Sequence, residues 1–399
     1  MPKTSTPGFH PHRLQQALDA YGLTGVAFSS MTGISGSSLS DYRNGNGTPS
    51  IEHFDKIVDA LKFPRSFFLT EPTSTLNGLA WFRSMSTATQ GTRKKLYARL
   101  EWLDEITQYI SAWVTFPRVN LPHNLEFPTE IEQIDSAFIE KTATVLREHW
   151  NFSGLPIPNL VRALERNGFV VASGLQEIDK LDGLSFFSQE TKPYIFLLEG
   201  KGSAVRSRFN AAHELGHFVL HQKIDIRATK DPLKNKLLES QAHCFAAAFL
   251  LPQEGFLADV LAPTLDSFYS LKSKWNVAIS CMIMRCFSLD IINDEQKTTL
   301  FKNLSRRGWK IKEPLDDKIP QEKPVLLSQA IQLLVDQNVK SKEEICHDLP
   351  LPVRELVKIC SLPEYYFEDE NRIIELKLPK ESSQDGYKGD AEIVKFSSA

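Results

Sequence analysis

Two histidines four residues apart constrain the fold of this 399-residue chain more than any other feature. His213 and His217 lie in a segment, about 203–222, whose apolar residues recur at helical spacing. On an α-helix such a pair projects from one face about one turn apart, so both imidazoles can reach one metal ion. A further ligand has to come from another segment, because residues farther along a straight helix lie too far away. The pattern therefore predicts a second element packed against this helix.

The best source of that further ligand is the helix predicted for 235–251. Glu239 shares a face with Ala242 and Ala246, and an ionised carboxylate on an apolar face is costly unless it is paired or bound to metal. The small alanines would let the two helices approach closely. The alternative is a solvated residue near a helix start, where the helix dipole favours a negative charge. We predict a His₂Glu site with an open position for water, formed by His213, His217 and Glu239.

Three neighbours of the predicted ligands are assigned roles or alternatives. Glu214 follows the first histidine and is predicted to act as general base on a water that the metal activates. His221 lies one turn beyond His217, and we expect it to support a ligand or to pack rather than to bind metal. His243 lies four residues after Glu239 and is a rival ligand, a support for a ligand or a donor to the transition state. Two nitrogens and a carboxylate suit Zn²⁺ and also Mn²⁺.

Composition limits the classes of protein to which the chain can belong. Hydrophobic residues make up 42% and charged residues 24%, which is ordinary for a globular protein and excludes wholesale disorder. A net charge of −3 means that any nucleic-acid binding must be local. No apolar run reaches the roughly 18 residues that span a bilayer, and the first residues lack the apolar region of a signal peptide. We therefore expect no membrane partner.

The cysteines point to a reducing compartment. Five are present, none in a C-x-x-C pair, which favours free thiols and a cytoplasmic location. Cys244, Cys281 and Cys286 stand in apolar helical contexts. We expect these three to be small buried hydrophobes rather than catalytic groups.

Residues 9–70 predict a compact helical unit. Thr24, Ser35 and Ser50 are predicted N-caps, and Gly33 lies in a tight turn before the third helix. In a helix-turn-helix, which this unit resembles, the third helix presents the residues that contact DNA; here that implies Gly36, Ser37, Ser38 and Ser40, with Arg43 and Asn44 near phosphate. Its start lacks the Arg, Asn or Gln that make bidentate base contacts, and residues 1–70 carry six basic against five acidic residues. Protein recognition or homodimer formation by the same helices is the alternative.

The whole pattern predicts an α+β fold that is mostly helical with a short sheet. Strand signals occur at 168–172 and in a hairpin of 184–188 with 194–198. A helix runs from about 91 to 113, and 114–128 reads as an irregular linker. We predict four parts: 9–70, a helix-turn-helix; 71–130, a helical linker; 131–310, which carries the metal motif; and 311–399, a helical C-terminal region with a mobile tail.

The metal motif and its flanks resemble the ImmA/IrrE family of metallopeptidases. The resemblance rests on Phe209-Asn210-Ala211-Ala212-His213-Glu214-Leu215-Gly216-His217-Phe218-Val219-Leu220-His221, followed by Glu239-x-x-Ala242-x-x-Phe245-Ala246-Ala247-x-x-Leu250-Leu251-Pro252, and spans about 131–310. It implies a zincin-like domain with His213, His217 and Glu239 as zinc ligands and Glu214 as base. One departure is His243, where the family usually has asparagine.

The N-terminal unit resembles the XRE/Cro-type helix-turn-helix, through Leu23-Thr24, Ala27, Gly33-Ile34-Ser35, Leu39, Tyr42, Gly45 and Pro49-Ser50. In such folds the third helix lies in the major groove. Together the resemblances imply a zinc endopeptidase that cleaves a helix-turn-helix repressor in stress or phage-related regulation. One alternative is a transcription regulator whose metallopeptidase-like domain senses a ligand or partner without proteolysis. Another is an antitoxin-like partner in a two-gene system.

Overall fold

The computed structural model describes residues 5–74, 76, 89–176, 183–186, 192–199, 202–225, 227–228 and 231–368. The α-helices are α1 (Pro11–Tyr21), α2 (Gly25–Thr32), α3 (Gly36–Asn44), α4 (Ile51–Leu61), α5 (Arg65–Leu69), α6 (Gln90–Ser111), α7 (Ser136–His149), α8 (Leu160–Arg166), α9 (Ala204–His221), α10 (Pro232–Leu250), α11 (Gln253–Asp259), α12 (Leu265–Trp275), α13 (Ile279–Ser288), α14 (Asp294–Arg306), α15 (Leu326–Asp336), α16 (Lys342–Asp348) and α17 (Val353–Ile359). The strands are β1 (Val170–Gln176), β2 (Gly183–Phe186) and β3 (Tyr194–Glu199). The predicted class, α+β and mostly helical, is confirmed.

The helix-turn-helix forms through the predicted caps. The side chains of Thr24, Ser35 and Ser50 each accept a hydrogen bond from a backbone N–H in the first turn of α2, α3 and α4. Gly33 ends α2 with a φ of 69°, a left-handed conformation that favours glycine. Helix α5 was not expected, and it completes this unit.

The sheet has the order β1-β3-β2, with β1 parallel and β2 antiparallel to β3. The predicted hairpin is therefore confirmed in its strands, although its turn at 187–191 lies outside the described residues. Within this three-stranded order β2 lies at an edge, next to α9. Successive side chains alternate between the two faces of the sheet, and both faces are buried.

Two hydrophobic cores share this sheet. Val170, Ala172 and Phe196 pack with α1–α6 and α15–α17, whereas Val171 and Ile195 pack on the opposite face with α7–α14. The first core thus includes residues of the segments 71–130 and 311–399. The four-part division of the chain stays a prediction, since residues from all four parts are buried together in the first core.

Helix α6 joins the N-terminal helices to the sheet through buried polar contacts. Arg13, 1% exposed, donates to both carboxylate oxygens of Glu105 at 2.9 Å. At the preceding residue of α6, the Tyr194 hydroxyl of β3 donates to Asp104 at 2.7 Å. Losing one partner of a buried ion pair such as Arg13–Glu105 costs several kcal/mol. Together with the Tyr194 hydrogen bond, this pair therefore fixes the position of α6 between the N-terminal helices and the sheet.

The pairing of α9 with α10 brings the predicted ligands together. Ala242 and Ala246 are fully buried, as the predicted close approach of the two helices requires. Gly216 of α9 makes the approach possible: a Cβ there would lie 3.0 Å from a ring carbon of Phe245 and 3.2 Å from the carbonyl oxygen of Ala242. A glycine inside a helix is unfavourable by itself, so the close packing of α9 against α10 explains why glycine occurs here.

The expectation of buried cysteines is wrong for Cys244. Cys286 is buried and Cys281 is partly buried, but Cys244 is exposed. It follows His243 on the side of α10 that lines a cavity facing α13, so it lacks the packing of a core residue.

No helix in the described part of the chain combines the length and apolar character needed to cross a membrane.

Candidate metal centre

Three potential ligand atoms converge between α9 and α10. The Nε2 atoms of His213 and His217 lie 3.1 Å apart. The Glu239 carboxylate lies 3.2 Å from Nε2 of His213 and 3.6 Å from Nε2 of His217. Ligand atoms around tetrahedral zinc, with bonds of about 2.0–2.2 Å, lie about 3.3–3.6 Å from one another. The structure thus brings the three predicted ligands together at a spacing that suits one cation.

The electrostatics of Glu239 also fit a cation. Burial raises the pKa of this carboxyl, but its interactions with His213 and His217 outweigh burial and hold the pKa well below its usual range. Its Oε1 is buried and has no hydrogen-bond partner among the described residues. An ionised oxygen left in this way is costly, and a metal ion would compensate it.

A chain of hydrogen bonds behind His217 fixes its tautomer. The Gln241 amide nitrogen donates to the carbonyl oxygens of Ile131 and Ile134 at 3.0 and 2.9 Å, so its Oε1 is left to accept from Nε2 of His221 at 3.1 Å. In the neutral ring of His221, Nδ1 then accepts the proton of His217 Nδ1 at 3.0 Å. It follows that Nε2 of His217, the atom facing Glu239, carries a lone pair as a metal ligand requires.

His243 remains a rival or additional ligand. One ligand atom from each of His213, Glu239 and His243 can be chosen so that all lie within 4.8 Å of one another. The Nδ1 of His243 donates to the carbonyl oxygen of Glu239 at 2.8 Å, since that oxygen can only accept. In the neutral ring Nε2 therefore has a lone pair, which favours a ligand or acceptor over a donor to the transition state.

Glu214 is 2% exposed and lies against the edge strand β2. The Ser185 hydroxyl of β2 donates to its Oε2 at 2.5 Å. Burial raises the pKa of Glu214 to about 7, although His213 and Ser185 act to lower it. A carboxyl with a pKa near neutrality can both take and return a proton at physiological pH.

Sequence reasoning missed Ser185, Gln241 and Gly216. The glycine had a signal, because glycine in the middle of a helical pattern often marks close packing. Ser185 and Gln241 had none: a serine in a strand and a glutamine in a helix are ordinary residues until the fold places them behind other groups.

The predicted DNA-contacting residues lie on α3. Gly36, Ser37, Ser40 and Asn44 are exposed, while Ser38 and Arg43 are half-buried. Arg43 donates through Nε to Gln15 of α1 at 2.7 Å, and Asn44 donates to Ser40 at 3.2 Å. Their contacts with DNA stay a prediction.

A cavity of about 860 Å³ opens beside the metal centre. It lies between α7, α9, α10 and α13, with the segment 310–316 at its side. His243 and Phe209 line it at the metal end. The ring of His243 lies 4.4 Å from that of His213 and 5.7 Å from that of Phe209, measured between centroids, so the cavity and the site adjoin.

Comparisons with known families confirm both resemblances. Residues 165–287 match the family model of the IrrE N-terminal-like domain, Peptidase_M78, and residues 14–68 match a helix-turn-helix model, HTH_3. The first match contains all three predicted ligands and Glu214. A search of curated proteins finds no match.

Proposed function

We propose that this chain, which joins a helix-turn-helix to a domain of the IrrE N-terminal-like peptidase family, is a zinc-dependent endopeptidase. The observation that carries the proposal is the convergence of two imidazole nitrogens and one carboxylate within 3.6 Å, next to a buried acid with a pKa of about 7. His213, His217 and Glu239 would hold the ion. Mn²⁺ is the alternative metal for this donor set.

When bound, the ion supplies a Lewis acid and lowers the pKa of a water molecule. Glu214 accepts a proton from the attacking water and delivers it to the nitrogen of the leaving amine. Ser185 holds the carboxylate of Glu214 in place through its hydroxyl. The His221 and Gln241 chain keeps the proton of His217 on Nδ1 during turnover.

The helix-turn-helix supplies the second half of the proposed function. A DNA-binding domain would bring the peptidase to proteins bound at the same DNA, and a helix-turn-helix repressor in stress or phage-related regulation is the proposed substrate. The cytoplasm is the proposed location. The domain could instead pair with the repressor or with a second copy of this chain.

A second function is favoured by the buried contacts of α6. The Arg13–Glu105 ion pair joins α6 to the N-terminal helices, and the hydrogen bond from Tyr194 to Asp104 joins α6 to β3. Movement at the sheet would therefore reach the helix-turn-helix. A transcription regulator whose metallopeptidase-like domain senses a ligand or partner would use this route without cleaving a peptide bond.

Metal content and cleavage together test the proposal. We expect about one zinc per chain in the wild type, lost in His217→Ala and Glu239→Ala. Glu214→Gln should keep the metal and lose cleavage of candidate repressors. Metal without cleavage in the wild type would favour the regulator, and cleavage that survives Glu214→Gln would refute the catalytic assignment.

A further inference from the structure

Buried charged side chains in the wall of the cavity beside the candidate metal centre form ion pairs with one another or with residues directly behind the wall. Arg285, 1% exposed, donates to both carboxylate oxygens of Glu140. Glu313 pairs at 2.7 Å with Lys272, which is fully buried behind it, and accepts backbone N–H groups from the start of α13. These pairs neutralise the buried charges of the wall, whereas Arg206, Asp290 and Lys310 line the cavity at exposed positions.

Apolar side chains make up much of the remaining surface. They come from five helices and from the residue that follows α13, namely Ile139, Val205, Ala247, Met284, Leu289 and Phe301. Met284 is 46% exposed, and methionine adapts its shape to different partners. A volume of about 860 Å³ is of the size that binds drug-sized ligands, so it can hold more than one side chain.

The position of the cavity identifies its occupant. His243 packs against His213 and also lines the cavity, so a polypeptide that crosses the metal centre passes the cavity mouth. We propose that the cavity binds large apolar side chains of the polypeptide substrate near the bond that is cut. The substrate is then a segment with adjacent apolar residues, such as the core-facing side of a helix, exposed by local unfolding. This assignment rests on the proposed function, because that function makes the occupant a peptide.

Cys244 offers a built-in reporter of the cavity. Its exposed thiol lines the same volume beside His243. In full-length Glu214→Gln protein loaded with zinc, the rate of alkylation of Cys244 by N-ethylmaleimide is measured by mass spectrometry of its tryptic peptide. Two capped octapeptides of alanine and serine serve as probes, one with Leu-Phe at its centre and the other with Ser-Ser.

We expect the Leu-Phe peptide to slow alkylation about tenfold at ten times its Kd, and the Ser-Ser peptide to leave the rate unchanged. Met284→Trp fills the cavity, so the Leu-Phe peptide should need at least about ten times the concentration to give the same protection. Ala247→Leu fills it from a different helix and serves if the first variant fails to fold. Met31→Trp, at a 58% exposed position on α2, is the matched control and should change nothing.

The outcomes separate this assignment from the proposed function. Equal protection by both peptides, or protection that survives both cavity-filling variants, would overturn the apolar subsite. Protection in Glu214→Gln protein, together with no hydrolysis of any peptide by the wild type, would refute the peptidase and keep the binding site. Hydrolysis by the wild type without Leu-Phe protection would keep the peptidase and refute the subsite.

Discussion

Replacement of His221 by phenylalanine should weaken zinc binding although His221 does not face the ligand cluster. Phenylalanine keeps a ring in this fully buried position but removes the acceptor of the His217 Nδ1 proton. In the metal-free variant, His217 can move its proton to Nε2, towards Glu239 at 3.6 Å. Metal binding requires the lone pair on Nε2, so it forces the proton back onto an Nδ1 with no acceptor.

The magnitude follows from that unsatisfied donor. A buried donor without a partner costs about 1–3 kcal/mol, which corresponds to a loss of about five- to 150-fold in zinc affinity. Loss of the hydrogen-bond partner of a metal ligand typically lowers metal affinity by about 10–100-fold, which agrees with this estimate. Gln241 loses its donor in both states, so that loss lowers stability rather than metal affinity.

The assay is a competition titration of zinc against a chromophoric chelator, with far-UV circular dichroism to establish folding. His149→Phe is the matched control, because His149 contacts an amide oxygen of Asn120 at 2.7 Å on the exposed side of α7. It should bind zinc as the wild type does. A folded His221→Phe protein with zinc affinity within about twofold of the wild type would refute the tautomer argument.

Three further changes test other parts of the structure. Ser185→Ala removes a charge-assisted hydrogen bond to Glu214, the proposed general base, and should lower kcat/KM about tenfold or more at unchanged zinc content. The kinetics are measured on any cleaved peptide, and unchanged values would contradict the positioning role. Gly216→Ala should lower the midpoint of thermal unfolding, because the strain of about 1–3 kcal/mol from the added Cβ exceeds the gain in helix propensity. Gly91→Ala is the control and should not lower the midpoint, since a Cβ at Gly91 meets nothing closer than 4.0 Å. Arg13→Met leaves Glu105 buried without its partner and should cost about 3–5 kcal/mol in urea unfolding near neutral pH. Burial already raises the pKa of Glu105, so the folded state holds its proton more tightly, and the variant should lose stability as pH rises above about 4.5; a flat pH profile would contradict this.

Local patterns carried most of what was predicted correctly. The caps at Thr24, Ser35 and Ser50 are interactions between residues three positions apart, so the sequence displays both partners together. The hairpin strands and the helices α9 and α10 likewise follow from the period of their apolar residues. The expected burial of Cys244 failed for the complementary reason: an apolar neighbourhood along the chain does not show which side of a helix faces a cavity.

The sequence by itself determined the two resemblances, the helical class and the identity of the residues that meet at the candidate metal centre. A histidine pair at i and i+4 and a carboxylate on an apolar face are visible in one dimension, because helix geometry alone gives them a common side. Only the tertiary structure decided what lies behind them. Ser185 is 29 residues from Glu214 in the chain, and the carbonyl oxygens that orient Gln241 are more than 100 residues away. Such hydrogen bonds depend on the packing of separate elements, and no local preference of the chain encodes that packing.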